Sequence, residues 1–147
     1  MTKTLAGPRV AGLINEAMAG SVVECNDTDV WIKPDLLHGV ASFLKDDGDL
    51  DFAFLTSISA VDYIEYFEVV YHLRSLDHNH EFTLKTRIYS RNEPSLPSVI
   101  DIWQGADLQE REIWDLMGVR FDGHPNMKRI LLWEEFPGHP LRKDYLR

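Results

Sequence analysis

Residues 67–88 read Phe67-Glu68-Val69-Val70-Tyr71-His72-Leu73-Arg74-Ser75-Leu76-Asp77-His78-Asn79-His80-Glu81-Phe82-Thr83-Leu84-Lys85-Thr86-Arg87-Ile88. Phe67, Val69, Tyr71 and Leu73 alternate with Glu68, Val70, His72 and Arg74, the two-residue period of a half-buried strand. Phe82, Leu84 and Ile88 alternate with Thr83, Lys85 and Arg87 in a partner strand, and the polar run 77–80 between them makes the turn. A hairpin of this kind puts antiparallel pairing at the centre of the sequence.

Upstream, residues 52–61 are apolar or small, with Thr56, Ser57 and Ser59 interspersed, and predict a well-buried strand. Leu37, Val40, Ala41 and Leu44 form a helical stripe behind Pro34, which suits a first helical turn, and Asp46-Asp47-Gly48 ends it. The runs 21–25 and 30–32 flank Asn26-Asp27-Thr28-Asp29 and predict a second hairpin. Val10, Leu13, Ile14, Ala17 and Met18 predict a helix near 9–19, closed by Gly20. Downstream, the breaker-rich run 92–97 leads into a short helical piece ending near Trp103-Gln104-Gly105. Asp107 then starts the last helix, with Glu110 as a capping-box partner, and Gly118 ends it. The order is helix, two strands, helix, three strands, helix. Segregated runs of this kind predict an α+β fold, with helices packed on one mixed or antiparallel sheet of about five strands. That domain is expected to span 1–118.

Residues 119–147 show neither period. Pro125, Pro137, Pro140, Gly123 and Gly138 interrupt them, while Phe121, Trp133, Phe136, Tyr145 and Ile130-Leu131-Leu132 argue against disorder. A long irregular stretch of this composition is expected to be functional, here an extended arm that gains its order by lying on another protein.

Fifteen Lys and Arg against twenty-four Asp and Glu give a formal charge of −9. Residues 1–118 carry a net −11 and residues 119–147 a net +2, so the arm differs electrostatically from the domain. So acidic a protein is poorly suited to a nucleic-acid backbone or an anionic lipid surface. Cys25 is the only cysteine, which excludes an internal disulfide and leaves too few thiolates for an iron–sulfur cluster. No run of eighteen apolar residues spans a bilayer, and the first residues lack the apolar core of a signal peptide. The expectation is a soluble, cytoplasmic protein.

Glu110, Glu112 and Asp115 share one helix, and Glu112 and Asp115 share a face, an arrangement open to acid/base or metal chemistry. No HExxH pattern accompanies them, so Arg111 is expected to pair with Asp115 while Glu110 caps the helix. His78 and His80 suit a polar turn better than a metal site. His124-Pro125 and His139-Pro140 are held extended by their prolines and read as positional. Cys25 reads as core packing. No glycine-rich phosphate loop is present. The short basic clusters Lys128-Arg129 and Arg142-Lys143-Asp144-Tyr145 suit a protein partner met through Arg and aromatic anchors.

The run Trp103-x-x-Ala106-x-Leu108-x-Glu110-Arg111-Glu112-Ile113-Trp114-Asp115-Leu116-Met117-Gly118 is followed by Phe121-x-Gly123-His124-Pro125, then Lys128-Arg129-Ile130-Leu131, then Gly138-His139-Pro140-Leu141-Arg142-Lys143-Asp144-Tyr145. This pattern closely resembles the 30 kDa subunit family of proton-pumping NADH:quinone oxidoreductase, respiratory complex I, in which it is the C subunit. Leu108 departs from it, since many members have an aromatic residue there.

The resemblance implies a non-redox peripheral-arm subunit on the cytoplasmic side of the cell membrane, packed beside the large D subunit near the quinone site. It implies no catalytic residue, metal or cofactor here, with FMN, iron–sulfur clusters and quinone on other subunits. Glu110, Arg111, Glu112 and Asp115 would form a buried or interfacial charge network, and Gly118, Gly123 and Gly138 would permit turns. Phe121, His124, Lys128, Arg129, Trp133, Phe136, His139, Pro140, Leu141, Arg142, Lys143, Asp144 and Tyr145 would serve the interface. Two alternatives stand beside it. The same module occurs in membrane-bound hydrogenases and in dehydrogenases using ferredoxin or a deazaflavin. A stand-alone enzyme would instead use Glu112, Asp115 and His124.

Overall fold

The computed structural model describes residues 2–145; Met1 and the last two positions of the expected arm, 146 and 147, lie outside the described residues. In sequence order the elements are β1 (Lys3–Thr4), α1 (Gly7–Ala17), β2 (Val22–Cys25), β3 (Asp29–Ile32), a 3-10 turn (Pro34–Leu36), α2 (Leu37–Asp46), β4 (Phe54–Asp62), β5 (Phe67–Ser75), β6 (His80–Ile88), β7 (Ser95–Pro97), α3 (Ala106–Met117) and β8 (Arg120–Asp122).

The alternating stretch forms the middle of the main sheet. β5 and β6 pair antiparallel from Phe67 opposite Ile88 to Ser75 opposite His80. The strand order is β2-β3-β6-β5-β4, with β3 and β1 both parallel to β6 along its other edge. The sheet is therefore mixed, and with three helices the fold is α+β, as the element order predicts. Val69, Tyr71, Leu73, Phe82 and Leu84 meet Val10 and Ile14 of α1 and Leu37, Val40, Ala41 and Leu44 of α2 in one core. Burial of each such side chain stabilises the fold by about 1.5–3 kcal/mol.

Strand β5 is more buried than a half-exposed strand would be. Glu68 and Val70, on the face away from the core, are also covered. Trp31 lies on that face, donates to Glu68 Oε1 at 2.7 Å and has Lys85 and Arg87 over its ring. The expectation for residues 52–61 needs the opposite correction. β4 is an edge strand: Leu55 and Ile58 are buried, whereas Phe54 and Val61 are exposed. The fully buried Phe52 precedes it.

Three further local expectations are corrected. The piece ending near Trp103 is a turn, in which the amides of Ile102 and Trp103 both donate to the carbonyl of Val99. Part of the breaker-rich run is strand β7, which pairs parallel with β8, Leu96 opposite Phe121. Cys25 is exposed rather than packed in the core, because β2 is the outermost strand and has a bulge between Val22 and Glu24. Val119 and Phe121 belong to the core, so core formation continues past Gly118 into β8.

Candidate functional site

Helix α3 starts after Gly105 with no side-chain cap. Glu110 is not a capping partner; it is fully buried and accepts hydrogen bonds from Ser98 Oγ (2.6 Å) and the Val99 amide (3.0 Å). It therefore fastens the loop after β7 to the helix. Burial pushes its carboxyl above the usual range, and those two hydrogen bonds work against that rise.

One turn later, Asp115 organises the C-terminal arm. Its side chain is wholly buried. Oδ1 accepts from Arg129 Nη1 at 2.8 Å, and Oδ2 accepts the successive amides of Ile130 (3.1 Å), Leu131 (2.7 Å) and Leu132 (2.9 Å). Burial raises this carboxyl, but the guanidinium and the three amides outweigh it and hold its pKa below the ordinary value. Arg129 also donates to the carbonyls of Asp115, Phe136 and Gly138 at 2.8–3.0 Å. The expected Arg111–Asp115 pair is absent among the described residues. Arg111 instead donates to the carbonyls of Lys128 and Arg129, because Asp115 is already filled from the arm.

The arm returns over the end of α3. Gly118 has φ +77°, and a Cβ there would lie 2.7 Å from the ring of His139, so glycine alone allows that ring its place. His139 Nδ1 donates to the Asp115 carbonyl at 3.0 Å, and its ring lies 4.9 Å from Trp114. The Leu141 amide donates to the Leu116 carbonyl. His124 is equally structural: its side chain is fully buried, Nε2 lies 2.9 Å from Asp107 Oδ1, and Nδ1 accepts the Asn126 amide. At Gly138, φ +79° brings the Tyr145 ring within contact, and Tyr145 Oη donates to the Pro137 carbonyl at 3.1 Å.

A second ionic tie fixes the end of the arm to the sheet. Arg91 holds Asp62 with two hydrogen bonds (2.6 and 3.0 Å) and reaches Asp144 at 3.0 Å. Arg142 holds Asp144 from the other side at 2.8 and 2.9 Å and donates to the Arg91 carbonyl. The Lys143 amide donates to Asp62, and both guanidiniums lie over the Phe67 ring. Burial raises the Asp62 carboxyl, yet the hydrogen bonds from Arg91 and the amides of Lys143 and Ile64 bring it to about 2. Asp144 is held well below the usual carboxylate range, chiefly by Arg142. Sequence reading missed Asp62, Arg91 and Ser98. For Asp62 and Arg91 the signal was a charge at the end of an apolar strand, at Asp62 of β4 and Arg91 after β6, too common to single out.

What stays on the surface is different in kind. Trp133 is 66% exposed and Leu131 61% exposed, with Phe136 edge-on to Trp133 at 5.1 Å. Lys128, Glu134, Glu135 and Lys143 are exposed, and Pro140 is half-buried. Glu112 is exposed, beside a groove lined by Ile58, Ile113, Leu116 and Leu141. Glu112, Asp115 and His124 therefore do not converge on one cleft. Among the described residues no three His, Cys, Asp or Glu side chains are arranged to hold a metal ion. His78 and His80 each bond a carbonyl of the 48–50 loop.

Similarity to known proteins agrees with the motif. A family described as the respiratory-chain NADH dehydrogenase 30 kDa subunit matches residues 30–147. The sequence is 42% identical over 139 residues to a protein of Roseiflexus castenholzii named as the C subunit of NADH-quinone oxidoreductase, covering 92% of this protein and 79% of that one. It is 42% identical over 117 residues to a protein of Phocaeicola vulgatus named as the C/D subunit of NADH-quinone oxidoreductase, covering 79% of this protein and 22% of the longer relative. Among solved structures it resembles one polypeptide of a membrane-bound sulfane sulfur reductase, titled an archaeal respiratory membrane complex. The TM-score is 0.76 at 25% identity, covering 94% of this protein and 84% of that one.

Proposed function

The chain belongs to the respiratory-chain NADH dehydrogenase 30 kDa subunit family, and from that premise we propose that it is a non-redox subunit of a membrane-attached NADH:quinone oxidoreductase. In this reading it sits in the peripheral arm on the cytoplasmic side and supports the homologue of the large D subunit near the quinone site, in electron transfer coupled to proton translocation. Its partner-binding arm lies within residues 119–147, after the core positions Val119 and Phe121. In this reading FMN, iron–sulfur clusters and quinone belong to other subunits; for the clusters the support is that Cys25 alone supplies too few thiolates.

The observation that carries the reading is the arm itself. Asp115 takes the amides of Ile130, Leu131 and Leu132 and Arg129 the carbonyls of Phe136 and Gly138, while Trp133 and Leu131 are left facing outward. Large exposed apolar groups on an ordered segment mark a protein interface. The relative named C/D supports the D homologue as the partner, since one polypeptide there bears both letters. Among the described residues no helix is long and apolar enough to cross a membrane, which fits attachment through other subunits.

A second reading, the same module in a complex with a different electron donor, is favoured by the likeness to the sulfane sulfur reductase polypeptide. Affinity capture of the tagged full-length protein from gently solubilised native membranes, with mass spectrometry, separates the two. The expected catch is a D homologue together with a flavin-bearing NADH-oxidising subunit. A D homologue without that flavoprotein favours the second reading, and recovery of the tagged protein alone overturns both.

A further inference from the structure

By sequence residues 119–147 carry a net +2, and their Arg and aromatic side chains are expected to anchor a protein partner. The geometry separates the two kinds of anchor. Arg129 is consumed by Asp115 and three carbonyls, and Arg142 by Asp144 and the Arg91 carbonyl. Arg120 pairs with Asp122 at 3.7 Å. Among the described residues, Arg129 and Arg142 are thus internal ties, and the arm's outward cations are Arg120, Lys128 and Lys143.

The outward face of 130–136 presents a different set of groups. Ile130, Leu131 and Trp133 are exposed. Glu134 and Glu135 are exposed beside them and form no ion pair with a described residue. The loop does not need to order on contact, because three of its amides and a guanidinium are already fixed on Asp115, so docking it costs less conformational entropy than docking a flexible segment.

We infer that the loop 130–136 docks in an apolar socket flanked by Lys or Arg side chains on the D homologue, with Trp133 as the anchor and Glu134 and Glu135 pairing at the rim. This rests on the proposed assembly role and adds to it the chemistry of the partner surface. A central aromatic anchor dominates the affinity of such a contact, whereas rim charges act mainly on the association rate and its salt dependence.

The test measures binding of the full-length protein to the recombinant D homologue. Trp133→Ala is expected to weaken binding by about 30-fold or more. The pair Glu134→Lys and Glu135→Lys is expected to slow association at low salt, and to remove the slowing that added salt causes in the natural protein. All of these side chains are exposed, and unchanged thermal unfolding of each variant confirms that the fold is intact. Unweakened binding by Trp133→Ala overturns the socket. Equal or faster association by the double charge variant overturns the basic rim while leaving the assembly role standing. A D homologue that binds neither the natural protein nor the variants overturns the assembly role as well, and the inference with it.

Discussion

The β5–β6 centre of the sheet and the C-terminal arm are both ordered, for opposite reasons. In the sheet, order comes from area: Tyr71, Leu73, Phe82 and Leu84 are almost completely buried and the ladder pairs nine residues on each strand. In the arm, order comes from a few charged atoms. Beyond β8 the described backbone has no ladder, and its polar groups are gathered by Asp115, Arg129 and the Asp62–Arg91–Asp144–Arg142 cluster. Area-based order spreads its energy over many side chains. Point-charge order concentrates it, because removing one partner leaves the other buried and uncompensated. It also leaves apolar side chains free to face outward, which an arm ordered by hydrophobic burial would have to turn inward.

The first way to break the contrast is Phe82→Ala. It is expected to cost about 3–5 kcal/mol and to lower the stability of the whole protein in a single transition, seen as one shifted denaturant midpoint. Asp115→Ala comes next, at about 3 kcal/mol, since it strands the Arg129 charge and three amides. Its effect is expected to stay local: limited proteolysis would cut within 124–140 while the far-ultraviolet signal of the sheet persists. A global loss of structure there would erase the distinction between the two regions.

Acid sharpens the comparison further. Asp62, Asp115 and Asp144 are all held below the ordinary aspartate value. Groups depressed in the folded state contribute stability that is complete above about pH 4 and lost as pH falls through the folded value, about 2 for Asp62. Glu110 is shifted upward, so acid strengthens its part of the fold. The arm should therefore loosen between about pH 4 and 2 before the sheet unfolds. Tryptophan fluorescence from Trp133 would follow it, and Asp62→Asn should flatten that transition. The smallest effect is expected at Cys25→Ser, within about 0.5 kcal/mol by thermal unfolding, because the side chain is exposed on an edge strand.

The same contrast decides what could be read from the sequence. Burial repeats with the period of the element, so the two central strands, the stripes of α1 and α2 and the stop at Gly118 were all visible in the apolar pattern. Order from point charges has no period. Arg111 stands four residues from Asp115 and is the natural local partner, yet Arg129, fourteen residues away, takes the carboxylate because the arm delivers three amides with it. Glu110 has the spacing of a capping residue but is drawn inward by Ser98 and Val99. Asp62 ends the edge strand β4 and Arg91, twenty-nine residues on, follows β6, and no local rule joins them. Strands β7 and β8 have three residues each, too few to alternate visibly. Cys25 failed as a core residue for a topological reason, since being outermost in the sheet is not a property of its neighbours in sequence. The site motif was legible as a family pattern, but the division of its members into inward ties and outward groups depended on the fold.

In the structure the arm is folded on its own protein, with Asp115 as its anchor. Amide hydrogen exchange of the isolated full-length protein at near-neutral pH tests this most directly. The Ile130, Leu131 and Leu132 amides are expected to exchange slowly and to lose that protection in Asp115→Ala. Exchange of these three amides at the rate of an unstructured peptide in the natural protein would contradict it, and would mean that the arm takes its order from the partner.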